Sequence, residues 1–198
     1  MASSRPQPVE IHAHAMDNLR YIRQTMERAG SFTAVPGLGG MCMGSIALAA
    51  GWAASRAGSS ERWLGIWMGA AAIAVLIGVT GAAWKSRRAH SSLVSGPGLK
   101  FIAGFTPSLG AGALLTAVLY RAGLIQDLPG LWMLLYGAGV LSGGWASVRV
   151  VPLMGACFMA AGTVALTVPG LPPDIVLAAS FGGLHILFGA LIAVKYGG

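Results

Sequence analysis

Charged residues are scarce in this chain. They make up 10% of its 198 residues, whereas soluble domains carry about 25%. Apolar residues make up 55%, and the mean hydropathy is +0.70. This composition excludes a soluble globular domain, and it excludes intrinsic disorder, which needs low hydrophobicity and high charge. The sequence therefore predicts a polytopic membrane protein.

Acidic residues and cysteines are also few. Six Asp and Glu stand against 13 Lys and Arg, which gives a formal net charge of +7. In a membrane protein this excess indicates topology, and we expect no nucleic-acid partner. The two cysteines lie inside apolar stretches, which excludes a disulfide framework. A cleavable signal peptide is not expected, because the first 31 residues are mostly polar.

Catalytic motifs are missing as well. The apolar segments hold no Asp, Glu, Lys or Arg in their interiors, whereas proton-coupled pumps use buried carboxylates. A Gly-x-Ser-x-Gly elbow and a Walker A loop are both absent from the sequence. We therefore expect a protein without enzymatic activity.

Six apolar segments are present, each near the length of about 20 residues that spans a bilayer. The sequence thus predicts an all-α membrane protein with six transmembrane helices in antiparallel hairpins. Residues 1–31 would form a cytoplasmic segment and residues 32–198 the bundle. The predicted spans are Phe32–Ala54, Trp63–Trp84, Leu99–Tyr120, Leu131–Val148, Val150–Val168 and Asp174–Val194.

Basic residues predict the orientation of these spans. With the N-terminus in the cytoplasm, ten of the 13 basic residues lie on the cytoplasmic side and three on the other. Because Lys and Arg are enriched in cytoplasmic loops, we expect a multi-pass protein of the cell inner membrane with both termini cytoplasmic. The three basic residues on the far side are Arg56, Arg62 and Arg121.

The N-terminal segment carries a helical apolar pattern. Apolar residues recur every three or four positions, which predicts an amphipathic helix over residues 9–29 that ends at Gly30. Such a helix either lies on the membrane surface or docks a protein partner. The candidate docking residues are Met16, Leu19, Ile22 and Met26.

Internal similarities among the segments suggest a repeat of three helical hairpins. Glycine is abundant, with 30 residues, and many fall at the small-xxx-small spacing that lets transmembrane helices approach closely. We expect tight packing within the chain rather than a homo-oligomer interface. The spaced pairs are Gly40/Gly44, Gly65/Gly69, Gly139/Gly143, Ala178/Gly182 and Gly189/Ala193.

His185 is the only titratable base inside a predicted span. Together with Thr106 and Pro107, where Pro107 should kink the third span, it is a candidate for lining a ligand cavity. Cys42, Cys157 and Met154 fall at a similar depth, and thiol, thioether and imidazole ligands together suit copper, while imidazole alone suits haem iron. The alternative is a structural polar contact, with His185 facing protein. We expect no cofactor.

The stretch from Leu19 to Gly37, LRYIRQTMERAGSFTAVPG, resembles the opening of a group of uncharacterised bacterial membrane proteins. The resemblance covers the N-terminal helix and the start of the first span. It implies a bacterial inner membrane and no particular activity.

Three functions are compatible with these patterns. The first is an accessory or sensory membrane module that docks a partner through its N-terminal helix. The second is a small transporter or channel for an uncharged or soft solute. The third is a haem- or copper-binding membrane protein centred on His185.

Overall fold

The computed structural model of the protein describes residues 15–22, 26, 32–88 and 96–196. Helix dominates these residues, which contain no β-strand apart from one isolated bridge between Phe32 and Ser147. The prediction of an all-α fold is confirmed. The bundle helices are α1 (Gly37–Ala54), α2 (Ser60–Arg88), α3 (Gly96–Arg121), α4 (Leu128–Gly144), α5 (Val150–Thr167) and α6 (Pro173–Tyr196).

Five of these helices, α1, α2, α3, α5 and α6, are long and apolar enough to cross a membrane. This indicates a membrane protein, with one span fewer than predicted. The remaining predicted segment, the fourth (Leu131–Val148), corresponds to α4, which has only 17 residues. The start of α1 also differs from the prediction: the helix begins at Gly37 and not at Phe32, because Pro36 precedes it in an extended conformation with φ −78° and ψ 111°.

Helices α1 and α6 pack antiparallel along their small residues. A Cβ atom on Gly44 would lie 2.6 Å from the Gly182 carbonyl oxygen, so only glycine permits this approach. Gly40 faces Gly189 in the same way. The small-xxx-small pairs of these two helices therefore meet each other within the chain. Gly65 and Gly69 on α2 differ, since no atom beyond their own helix backbone lies within 4 Å of a Cβ placed there.

The helices form two groups. The first group contains α1, α2 and α6, and the second contains α3, α4 and α5, with α4 packed closely against both of its neighbours. Helix α6 packs far more extensively on α1 than on α5. The expected hairpin of α5 and α6 is therefore replaced by long-range pairing of α1 with α6, and the three-hairpin repeat is not confirmed.

Contacts at three levels join the two groups. We call the end of the bundle where α1 begins the proximal end and the opposite end the distal end. At the proximal end, the Phe32 amide donates to the Ala146 carbonyl at 2.6 Å. At the opposite, distal end, the indoles of Trp63 and Trp132 stack with centroids 5.6 Å apart. Between these ends lies the contact of α4 with α6 through Tyr136, described below.

The N-terminal segment is helical over residues 15–22 and at Met26, in agreement with the amphipathic pattern. The Asp17 carboxylate lies 3.9 Å from the Arg20 guanidinium, on an exposed surface. The remainder of the predicted helix over residues 9–29 lies outside the described residues.

Candidate functional site

His185 lies in the middle of the bundle, where the backbone of α6 departs from regular α-helix. The seven residues Ala178–Leu184 form a π-helical segment that ends immediately before it. The His185 backbone amide donates to the Gly182 carbonyl, and its ring Nδ1 lies 2.8 Å from the Phe181 carbonyl oxygen. Single π-helical turns inside α-helices occur frequently at functional sites. Because the His185 amide bonds to Gly182, the Phe181 carbonyl oxygen can accept a hydrogen bond from the imidazole and orient the ring.

Tyr136 of α4 holds the other ring nitrogen. Its hydroxyl oxygen lies 2.7 Å from His185 Nε2. Because the Phe181 carbonyl can only accept, Nδ1 must carry the ring proton, and Nε2 of the neutral ring must accept from the tyrosine O–H. The imidazole is therefore held in one tautomer and one orientation by two helices.

Aromatic rings enclose this pair. Phe105, Phe158 and Phe181 surround the Tyr136 ring, with centroids 5.7, 4.8 and 5.2 Å away. Phe158 is completely buried, and His185 is only 6% exposed. Edge-to-face arrangements of this kind are favourable beyond their burial of area. The rings form an apolar enclosure that keeps the polar atoms of the pair together.

The pair joins helices and leaves little capacity for a further ligand. Both ring nitrogens of His185 already bond to protein groups, so a metal ion would have to displace Tyr136 or Phe181. Every buried side-chain nitrogen and oxygen among the described residues has a hydrogen-bond partner. Chemically, the arrangement holds one proton between a phenol and an imidazole and fixes α4 against α6.

A second polar cluster lies at the distal end. The Trp63 and Trp67 indoles of α2 donate to one carboxylate oxygen of Asp174 in α6, at 2.7 and 3.3 Å. The Trp132 indole donates to the Thr116 hydroxyl at 2.7 Å. Aromatic donors thus satisfy polar groups near the helix ends, as is typical of membrane interfaces.

The candidate copper ligands Cys42, Cys157 and His185 do not form one cluster in the part of the chain that the structure describes. Cys42 is exposed on α1, because Gly40 and Gly44 on either side of it take the buried face. Cys157 is half-buried, and both cysteines are free thiols. Among the described residues, no three His, Cys, Asp or Glu side chains could together hold a metal ion. Met154 is buried in the hydrophobic core.

The cavity candidates of α3 also differ from the expectation. Thr106 and Pro107 are both exposed, and the Thr106 hydroxyl donates to the Ile102 carbonyl at 2.8 Å. Their neighbour Phe105 is the residue that packs against Tyr136. The helical period explains the difference, since adjacent residues of a helix point in directions about 100° apart.

Sequence reasoning missed Tyr136, although a signal was available. Tyr136 lies in the interior of a predicted span, whereas tyrosine usually marks the membrane interfaces. A tyrosine at membrane depth needs a partner for its hydroxyl. Pairing it with His185, the one titratable base inside a span, would have predicted the contact.

The docking candidates of the N-terminal helix are all exposed. Their side chains are between 52% and 69% exposed. They are Met16, Leu19, Ile22 and Met26. No family model matches the chain, and no match was found among curated proteins or solved structures.

Proposed function

We propose that this protein is a non-catalytic, multi-pass module of a bacterial inner membrane that docks a protein partner through its N-terminal helix. In this proposal α4 is the sixth span. Its 17 residues extend roughly 26 Å at the α-helical rise, close to the hydrocarbon thickness of about 30 Å. Six spans place both termini on one side, and the distribution of Lys and Arg favours the cytoplasm.

The observation that carries the proposal is the exposed apolar face of the N-terminal helix. Met16, Leu19 and Ile22 follow one another at helical spacing and are each more than half exposed. An apolar helix face normally buries its side chains against another surface. Helix-in-groove docking uses apolar anchors at this spacing. A groove on a partner protein would cover the face that the bundle leaves open.

The interior of the bundle supports a structural rather than a catalytic role. The polar groups of the Tyr136–His185 pair and of the Asp174 cluster form hydrogen bonds between helices. Interhelical hydrogen bonds of this kind stabilise membrane bundles. The part of the protein left for recognition is therefore its N-terminal helix.

A copurification experiment tests the proposal. The full-length chain is extracted from its native membrane in mild detergent, and bound proteins are quantified by mass spectrometry. We expect one stoichiometric partner, which Ile22→Glu loses because a charge enters the apolar face. A photocrosslinking residue at Leu19 should attach to the same partner.

Tyr21→Glu is the matched control, because Tyr21 is adjacent but lies toward the opposite face of the helix and is 71% exposed. This variant should retain the partner. Absence of any stoichiometric partner from the wild-type protein would contradict the proposal and favour a helix that lies on the membrane surface. Equal retention by both variants would show that the apolar face is not the docking surface.

A further inference from the structure

A groove lies between the first turns of α1 and the last turns of α2, at the proximal end of the bundle. Its volume is about 420 Å³, within the range of roughly 300–1,000 Å³ for small-molecule sites. We name it the α1–α2 groove. Its walls are mostly apolar and include Pro36, Leu38, Thr80, Trp84 and Lys85.

Glycines form the floor of the α1–α2 groove. A Cβ atom on Gly81 would lie 2.9 Å from the Pro36 ring, so the ring packs directly on the α2 backbone. Thr80 is exposed on the rim, and its hydroxyl donates to the Leu76 carbonyl at 2.7 Å. The groove is therefore lined mostly by backbone and apolar atoms, and its lining residues Leu38, Thr80 and Trp84 are exposed on the side of the bundle.

Lys85 places a positive charge at the proximal end of the groove. Its side chain is half-buried, and its ammonium donates to the Val35 carbonyl at 3.2 Å. Arg88 adds a second cation, which lies 3.9 Å from the centroid of the Trp84 ring. A long lysine side chain covers apolar surface with its methylene groups while its charge reaches the polar region.

The acidic residues of the bundle lie at the other end. Beyond residue 27, the only Asp and Glu in the sequence are Glu61, Asp127 and Asp174. All three lie where helices α2, α4 and α6 begin, at the distal end. Within the described residues 32–88 and 96–196, the charged side chains at the proximal helix ends are all basic, so an anion would meet attraction there from Lys85 and its neighbours.

An exposed apolar groove that ends in a cation fits an amphiphile with an anionic head. Basic pockets between transmembrane helices on the cytoplasmic side are known to bind acidic lipid headgroups. We propose that the α1–α2 groove binds one acidic phospholipid, with an acyl chain against Leu38 and Trp84 and its phosphate at Lys85. This inference concerns a lipid site and is independent of the docking role of the N-terminal helix.

Lipid binding can be measured on the full-length protein. Delipidated protein in detergent is titrated with dioleoyl phosphatidylglycerol or dioleoyl phosphatidylcholine, and bound lipid is counted by native mass spectrometry. We expect one phosphatidylglycerol to bind in preference to phosphatidylcholine. Lys85→Gln should weaken phosphatidylglycerol binding about fivefold, the effect of one basic residue near a lipid surface. Lys85→Arg should retain it.

Lys100→Gln is the matched control, because Lys100 is an exposed lysine at the proximal end of α3, outside the groove. It should bind as wild type does, and equal weakening by both variants would overturn the proposal. Thr80→Phe fills the groove without changing charge and should weaken binding of both lipids. Unchanged binding by Thr80→Phe would show that the acyl chain lies elsewhere. Displacement of phosphatidylglycerol by millimolar inorganic phosphate would contradict the lipid site and indicate a site for soluble anions.

Discussion

The hydroxyl of Tyr136 donates a hydrogen bond of 2.7 Å to His185 Nε2, and this bond connects the two groups of helices at mid-bundle. Tyr136 belongs to the group of α3, α4 and α5, whereas His185 belongs to the group of α1, α2 and α6. Contact between the groups is limited elsewhere along these two helices. A polar bond inside an aromatic enclosure therefore fixes how the halves of the bundle meet.

Removing the tyrosine hydroxyl should destabilise the bundle. Tyr136→Phe leaves Nε2 of His185 buried without a donor. Leaving a buried polar group unsatisfied costs about 1–3 kcal/mol, while interhelical hydrogen bonds in membranes average roughly 0.6 kcal/mol. We expect a loss near 1 kcal/mol, measured as a lower midpoint of thermal unfolding in detergent. Thr163→Ala is the control, since its hydroxyl bonds only within its own helix on an exposed face.

A double-mutant cycle separates the bond from general packing. His185→Phe alone leaves the Tyr136 hydroxyl unsatisfied, while the double variant with Tyr136→Phe removes both polar groups. The combined loss of stability should be smaller than the two single losses added together. Strict additivity would mean that the two residues stabilise the bundle independently.

Replacing a glycine of the small-xxx-small spacing with alanine should have opposite effects on stability in α1 and in α2. Gly44→Ala places a Cβ 2.6 Å from the Gly182 carbonyl oxygen and 2.7 Å from an Ile186 carbon. Because backbone must shift, we expect a loss of about 1–3 kcal/mol. Gly69→Ala meets no atom within 4 Å beyond its own helix backbone and should be neutral or slightly stabilising, since alanine favours helix by up to about 1 kcal/mol. Equal decreases in the unfolding midpoints of the two variants would contradict the α1–α6 interface.

Local patterns predicted the helices well. Five apolar segments matched helices of spanning length, and α5 begins at Val150 as expected. The reason is that helix formation in an apolar stretch depends on nearby residues. The pairing of α1 with α6 could not be predicted, because it joins segments more than 110 positions apart. Glycine spacing marks a surface for close approach and does not identify the helix that approaches.

The candidate site was predicted in part. His185 lies against protein, which was one of the two alternatives in the sequence analysis; its ring bonds to α4 and its backbone faces α1. The sequence analysis grouped Cys42 with His185 only because both lie at a similar depth in the membrane. In the structure, the position of Cys42 around the α1 axis leaves its side chain exposed. Depth follows from residue number, but the direction of a side chain depends on which face a neighbouring helix covers.

Asp174 should stabilise the distal end as a hydrogen-bond acceptor for two buried indoles. Trp63 and Trp67 are 8% and 5% exposed, so water cannot replace the lost acceptor easily. Asp174→Ala should lower stability by about 1–3 kcal/mol and change the tryptophan emission. Asp174→Asn also removes the charge but keeps a carbonyl oxygen, so its loss should be smaller. Equal losses for the two variants would show that the charge matters and the acceptor does not.

The topology prediction depends on α4, the shortest of the six helices. Single cysteines are introduced into a Cys42→Ala, Cys157→Ala background and treated with a membrane-impermeant maleimide on intact cells. Gln126→Cys precedes α4 and Trp145→Cys follows it, and both positions are exposed. If α4 spans the membrane, they lie on opposite sides.

With a cytoplasmic N-terminus, the maleimide should label Gln126→Cys and Ser59→Cys from outside. Trp145→Cys and Ser91→Cys should react only after the membrane is permeabilised, because the loops on their side carry most of the Lys and Arg. Labelling of Ser91→Cys on intact cells would reverse the orientation. Labelling of Gln126→Cys and Trp145→Cys from the same side would leave α4 outside the membrane-spanning set, and the two termini would then lie on opposite sides.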